Sequence, residues 1–261
     1  IMSKNKDSIV CLVADGKYLY KNFPRIYKEL RTTGNYKNEI LVITSYFTPT
    51  YLIKNLRKKN KVTTLRFKKI KFDKKTDKSL STLNVDHNRH VAKNFQWHKL
   101  YLFHKKIKKW KYIFYIDINM TIHHDINPIL SIVPKNELLA RADGYPDYKW
   151  KLESQFDKLH PKFNELKNEV NLDNKDYFQT GLLYYDTNIV KDKTFKEILL
   201  LISKYPLSIT NEQGILNLYF TLKQKKYTQL VDFVDGKLSY FYWMINKQDI
   251  IITKALTEKN K

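Results

Sequence analysis

Asp117 and Asn119 stand one residue apart at the end of the apolar run Tyr112-Ile113-Phe114-Tyr115-Ile116. Two oxygen-bearing side chains at that spacing can hold a hard divalent cation such as Mn2+ or Mg2+ against a diphosphate, because these ions take oxygen donors and keep positions open for substrate phosphates. On an extended backbone residues i and i+2 leave the same face, so strand alternation is expected to bring the two side chains together. The competing reading is local: Asp and Asn are common turn formers, and the pair would then only shape a turn. His123 and His124 follow closely, but adjacent residues on an extended chain face opposite ways, which favours loop histidines over a zinc cluster. Cys11, the single cysteine, lies in an apolar run that raises thiol pKa, so no nucleophilic role is expected of it. Trp97, Trp110, Trp150 and Trp243 suit core or cleft walls better than dedicated sugar platforms.

The element that must position Asp117 is a strand. Five consecutive apolar or aromatic residues after a lysine-rich segment read as a strand buried on both faces, as in a mostly parallel sheet, and open α/β sheets bind ligands at the carboxyl ends of such strands. Upstream, Ser8 to Ala14 reads as a first strand broken by Asp15-Gly16, Pro24 to Leu30 as a helix, Ile40 to Thr44 as a strand, Thr48 to Leu56 as a helix and Leu65 to Phe72 as a third strand. Strand and helix alternating in this way predict a doubly wound α/β beginning. Asp73 to Arg89 shows no sustained periodicity and is read as a loop; Phe95 to Phe103 is read as a helix. Downstream, helices are expected over 125–133, 150–166 with a break near Pro161, 195–201 and 213–220, and strands over 137–142 and 181–185. Residues 230–252 carry strand-like runs without clear boundaries, and neither an internal repeat nor a linker is evident.

Composition bounds the class. With 261 residues, 43% hydrophobic, the chain can build a sizeable core, and a single domain over 1–261 is expected, with halves at about 8–125 and 126–261. No run approaches a membrane span, Ile1 to Asp7 is too polar for a signal peptide, and one cysteine excludes an intramolecular disulfide. An intracellular, cytoplasmic location is the resulting expectation. The net charge of +22 points toward polyanions, yet only six of the 48 basic residues are arginine, and lysine reads bases poorly. Heavy use of Lys, Asn, Ile and Tyr also follows from AT-rich coding, as in an AT-rich microbe or a large DNA virus.

Several segments together resemble the family 8 glycosyltransferases of GT-A fold, which include glycogenin. Cys11 to Tyr18 is similar to the family's first strand and turn, which implies that Leu12, Ala14, Asp15 and Tyr18 contact the uridine of a UDP-sugar. Lys99, in His98-Lys99-Leu100, matches a lysine facing the donor diphosphate or sugar, and Asp117-Ile118-Asn119 matches the metal-binding Asp-X-Asp. Phe178-Gln179-Thr180-Gly181 resembles the Phe-Asn-X-Gly turn that touches the sugar, which places Gln179 and Gly181 in the donor site. Glu212-Gln213-Gly214-Ile215-Leu216-Asn217 resembles Asp-Gln-Gly-Ile-Leu-Asn, so Glu212 and Gln213 fall beside the reacting centre. The resemblance implies a GT-A architecture, a Rossmann-like nucleotide-binding half, Mn2+ or Mg2+ as cofactor, a nucleotide-sugar donor, a hydroxyl acceptor and retention of anomeric configuration.

The sequence departs from that pattern in ways that bear on the chemistry. Asn119 replaces the second acid, which removes one negative charge from the cation site; Gln179 replaces Asn, and Glu212 replaces Asp. The family's late His-X-X-Gly-X-X-Lys is missing, since no histidine follows His160; Lys254, by its position in Ile251-Ile252-Thr253-Lys254, could place a positive charge on the leaving diphosphate instead. Two alternatives follow from the residues: a GT-A-like shell with weak or no activity that binds a polyanion through its basic surface, and a nucleotidyltransferase, for which the Gly-rich phosphate-binding signature is lacking.

Overall fold

The computed structural model describes residues 7–83, 95–241 and 249–254. β1 (Ser8–Val13) ends at Asp15, which does more than break the strand: its carboxylate accepts from the Tyr18 N–H at 3.1 Å and so caps α1 (Gly16–Lys21), a helix the sequence reading passed over as a turn. α2 (Phe23–Arg31) begins with Pro24 in its first turn, and β2 (Ile40–Ser45) and α3 (Thr50–Arg57) follow as expected. β3 runs over Val62–Phe67 rather than 65–72, because it pairs in parallel with β2 from Val62 onward, directly after the positive-φ residue Lys61.

The loop expected after residue 73 is in part a helix, α4 (Lys74–Ser81), whose cap Asp73 accepts from the backbone and hydroxyl of Thr76 at 2.9 and 2.8 Å. The remainder of that expected loop, from 84 to 89, lies outside the described residues. Residues 96–103 and 105–109 wind as 3-10 turns instead of an α-helix, leading into β4 (Tyr112–Ile116). Next come β5 (Met120–Ile122), a four-residue α5 (Asn127–Leu130) and β6 (Leu138–Ala142). The single helix read over 150–166 divides into a 3-10 turn at Leu152–Gln155 and α6 (Phe163–Glu169). β7 (Phe178–Asp186) starts three residues before its expected boundary and is buried along its whole length. α7 (Thr194–Lys204) and α8 (Glu212–Asn217) follow, the latter loosening into a π-helical turn at Leu218–Lys223. Four short strands complete the described chain: β8 (Tyr227–Gln229), β9 (Phe233–Val234), β10 (Lys237–Phe241) and β11 (Ile250–Lys254).

The strands form a seven-stranded sheet in the order β3-β2-β1-β4-β7-β6-β8 and a smaller one in the order β5-β11-β10-β9. In the large sheet β7 alone runs antiparallel to its neighbours β4 and β6, and the other pairings are parallel. Alternation along β1 sends Ile9 and Cys11 into one buried layer and Val10 and Leu12 into the other, which is why this strand reads as a continuous apolar run. The strand order reverses direction of travel at β1 and β4, and the carboxyl ends of these two strands face the amino end of β7. That junction is where an open α/β sheet leaves a crevice.

Candidate active site

Asp117 reaches the crevice through a turn, which corrects the expectation of strand alternation. β4 ends at Ile116, the Met120 N–H donates to the Asp117 carbonyl at 2.9 Å, and the chain re-enters as β5. The Asp117 N–H donates to the Gly181 carbonyl at 2.8 Å, tying this turn to the start of β7. β5 pairs antiparallel with β11, with Met120 opposite Lys254, so a residue remote in sequence arrives one position from Asn119.

These elements enclose a cavity of about 340 Å³. Tyr18, Lys99, Asp117, Ile118, Asn119, Gln179, Gly181, Glu212, Gln213 and Lys254 line it together. Leu12 and Ala14, expected at the uridine, are fully buried in the core; neither lines the cavity, whereas Val13 between them does. Asp15 caps α1 and lines an adjoining cavity of about 280 Å³ with Phe47, Lys69 and His98. Cys11 is buried, and burial pushes its thiol pKa up, in keeping with an inert role. His123 sits after β5, against the Thr253 hydroxyl at 2.7 Å. Trp97 is core, and Trp243 lies outside the described residues.

Lys99 is the centre of the site. Its ammonium lies 2.6 Å from Glu212 Oε1 and 3.2 Å from Asp117 Oδ1, and it donates to the Thr180 carbonyl at 3.3 Å. Burial alone would lower the Lys99 pKa, but the two carboxylates outweigh it and the net shift is upward. Burial likewise opposes ionisation of Asp117, yet Lys99 and then Lys254 prevail, and its pKa falls below the ordinary carboxylate value. The Tyr115 hydroxyl also donates to Asp117 Oδ1; burial and the Asp117 charge raise the Tyr115 pKa, so it stays a donor.

Glu212 and Gln213 begin α8, and β7 holds both. The Thr180 hydroxyl donates to Glu212 Oε1 at 2.9 Å, and the Thr180 N–H donates to Gln213 Oε1 at 3.2 Å. Gln213 in turn donates to Gln155 Oε1 at 2.8 Å. Asn217 explains why the motif ends in Asn: fully buried, it accepts from the Phe178 N–H at 2.9 Å and donates to the Phe178 carbonyl at 2.7 Å, bonding as a neighbouring strand would. Gln179 accepts through Oε1 from the Tyr240 hydroxyl at 2.7 Å and the Gly181 N–H at 3.2 Å, which fixes its amide with Nε2 as the donor side.

Sequence reasoning missed Tyr115, Thr180, Gln155 and Tyr240, whose roles depend on tertiary partners. It also missed Asn211, which precedes α8 at φ 55° and ψ −121°, a strained conformation for a residue with a side chain. Asn211 Oδ1 and Thr210 Oγ1 are buried at the cavity without hydrogen-bond partners.

The donor set can be tested against a divalent cation. Asn119 Oδ1 is buried without a partner, which leaves an oxygen available, and Asp117 supplies a carboxylate beside it. Among the described residues no cluster of three or more His, Cys, Asp or Glu forms, and the motif itself offers two oxygen ligands, Asp117 and Asn119. Mg2+ and Mn2+ tolerate that number when substrate phosphates complete the shell, so the residues fit.

No protein-family model and no curated protein sequence matches the chain. Solved structures do. The chain is similar to the galactosyltransferase LgtC in complex with donor and acceptor sugar analogs, at a TM-score of 0.58 and 12% identity over 96% of this chain and 87% of that one. It is similar to the bifunctional glycosyltransferase WbbM in its apo form, at a TM-score of 0.56 and 19% identity over 87% of this chain, which spans 39% of WbbM. Core-mannan synthase A from Aspergillus fumigatus, in its Mn/GDP form, matches at a TM-score of 0.55 and 10% identity over 88% of this chain and 74% of that one. The fold is therefore the GT-A fold of glycosyltransferases, a mixed α/β architecture around a mostly parallel central sheet.

Proposed function

We propose that the protein transfers a hexose from a nucleotide sugar, a UDP-sugar, to a hydroxyl acceptor, with retention of configuration as the family 8 resemblance implies. The observation that carries this reading is the buried Lys99 ammonium between Asp117 and Glu212, set in a polar cavity at the carboxyl ends of β1 and β4. Departure of a nucleoside diphosphate builds negative charge on the leaving oxygens. Lys99 and Lys254 supply fixed positive charge there, and such preorganised charge acts most strongly in the transition state.

Asp117 and Asn119 would hold Mn2+ or Mg2+, which when bound supplies further neutralisation of the diphosphate. Tyr18, with Val13, would flank the base. Gln179 Nε2 would donate to sugar hydroxyls, and Gln213, locked by Thr180 and Gln155, would hold the sugar beside Glu212. Glu212 is engaged by Lys99 and Thr180, which suits an orienting carboxylate next to the reacting carbon.

The test is turnover of UDP-glucose, UDP-galactose, UDP-N-acetylglucosamine and GDP-mannose, with and without Mn2+, followed by NMR of the anomeric proton. The expected result is slow release of the sugar from one UDP-hexose, retained at its anomeric centre. Glu212→Gln should slow it by about 10²–10³-fold, the scale of losing one preorganised polar group at a reacting centre. Consumption of a nucleoside triphosphate with release of pyrophosphate, and of no nucleotide sugar, would overturn the reading in favour of nucleotidyl transfer.

A further inference from the structure

The face built by α1, α2, α3 and β3 carries no exposed acid along two long stretches. Residues 16–28 contain four Lys or Arg and no Asp or Glu, and residues 40–72 contain nine and none. Lys17, Lys21, Lys54, Arg57, Lys58 and Lys59 are exposed there. Aromatic side chains stand out among them: Phe47 is 84% exposed, Tyr20 71% and Tyr51 61%.

These residues share one surface. α1 packs on α3, where a Cβ on Gly16 would lie 3.5 Å from Pro49. Tyr20, Lys58 and Lys59 line a single groove of about 400 Å³, and Phe47 and Lys69 line the cavity beside Asp15. The nearby acids are engaged: Asp15 caps α1, and Glu29 pairs with Arg25 at 2.7 Å.

We infer that this face docks on an anionic lipid membrane. Tyr20 and Tyr51, apolar in body and polar at the tip, and the wholly apolar ring of Phe47, set among lysines, match the boundary between headgroups and acyl chains. Lysines near an anionic leaflet each add attraction that falls off within a Debye length. The composition favours lipid over nucleic acid. Arg25 and Arg66, which could fork onto phosphates, are turned inward on Glu29 and on the backbone of Thr48, leaving mostly lysine as the outward charge. Phe47, Tyr20 and Tyr51 are mostly exposed, so much of each ring stands clear of the surface and is open to insert among lipids. Phe95 lines both the cavity beside Asp15 and the main site, so a docked face would bring the site close to acceptors held at the membrane. The docking itself does not depend on the sugar-transfer reading.

Co-sedimentation with vesicles tests this directly. The protein should pellet with phosphatidylcholine vesicles containing about a third phosphatidylserine, should not pellet with phosphatidylcholine alone, and should release as salt rises. Lys54→Gln, Lys58→Gln and Lys59→Gln should each weaken partitioning about fivefold. Replacing Tyr20, Phe47 and Tyr51 together by Ser should weaken it about tenfold or more, with the thermal midpoints of all variants showing that they are folded. Equal pelleting with both vesicle types, or no response to these substitutions in folded variants, would overturn the inference. So would binding of a single-stranded RNA oligomer through the same lysines with no binding to anionic vesicles.

Discussion

Lys99 serves two carboxylates at once, and its removal leaves both in a largely buried setting. Lys99→Met is expected to destabilise the free protein by about 3–5 kcal/mol, the usual effect of taking one partner from a buried ion pair, measured by urea unfolding. The pKa shifts set the sign of the pH dependence. Asp117 is depressed, so its contribution to stability is full above the unfolded value of about 3.9 and is lost as pH falls through the lower folded value. Lys99 is raised, so its contribution is full below about pH 10 and is lost only as pH rises through a still higher folded value. Unfolding free energy attributable to Lys99 and Asp117 should therefore be flat between about pH 5 and 9 and fall in acid. Asp117→Asn should flatten that acid limb. At position 119, whose amide oxygen is buried without a partner, Asn119→Asp puts a second carboxylate in the candidate cation site, and the Mn2+ concentration that supports UDP binding should drop.

At the scale of elements, the site depends on α8 being fastened to β7. Asn217→Ala would orphan the N–H and carbonyl of Phe178, costing about 1–3 kcal/mol for each buried group left unpaired, and should loosen Glu212 and Gln213 together. Gly181 is equally constrained, because a Cβ there would lie 2.5 Å from Met120, 2.7 Å from the Tyr240 hydroxyl and 2.9 Å from Gln179 Oε1. Gly181→Ala should lower stability by about 1–3 kcal/mol and displace Gln179, visible as weaker donor binding in the folded fraction. β1, β2 and β4 were legible in the sequence because strands buried on both faces leave uninterrupted apolar runs. α1 and α4 were not: each is short, lysine-rich and only partly buried, so its apolar periodicity is faint, and the cap residues Asp15 and Asp73 were the usable signals. β3 was misplaced because its side chains are mostly half-buried and its register is set by pairing with β2. Lys99, Asp117, Gln179, Glu212 and Gln213 stood out through short motifs. Gln155, Thr180 and Tyr240 did not, since the first meets Gln213 from 58 residues away and the last meets Gln179 from 61.

Across the whole molecule, the charge of +22 is concentrated at more than one place. Lys99 and Lys254 bring positive charge to the cavity, and thirteen Lys or Arg fall in the two stretches 16–28 and 40–72 that contain no Asp or Glu. No helix among the described residues is long and apolar enough to cross a membrane. The fold was legible because alternating strands and helices precede the apolar strand that ends at Asp117; the smaller sheet was not, because β11 finds β5 only in three dimensions. The most direct test of the central claim, a nucleotide-sugar site around Lys99 and Asp117, is thermal-shift titration with UDP, GDP and ADP, each with and without Mn2+. The expected result is stabilisation by UDP approaching about 3 kcal/mol at a hundredfold excess over Kd, strengthened by Mn2+ and weakened in Asp117→Ala and Lys254→Gln. Absence of a shift with any nucleotide, with or without Mn2+, would contradict it.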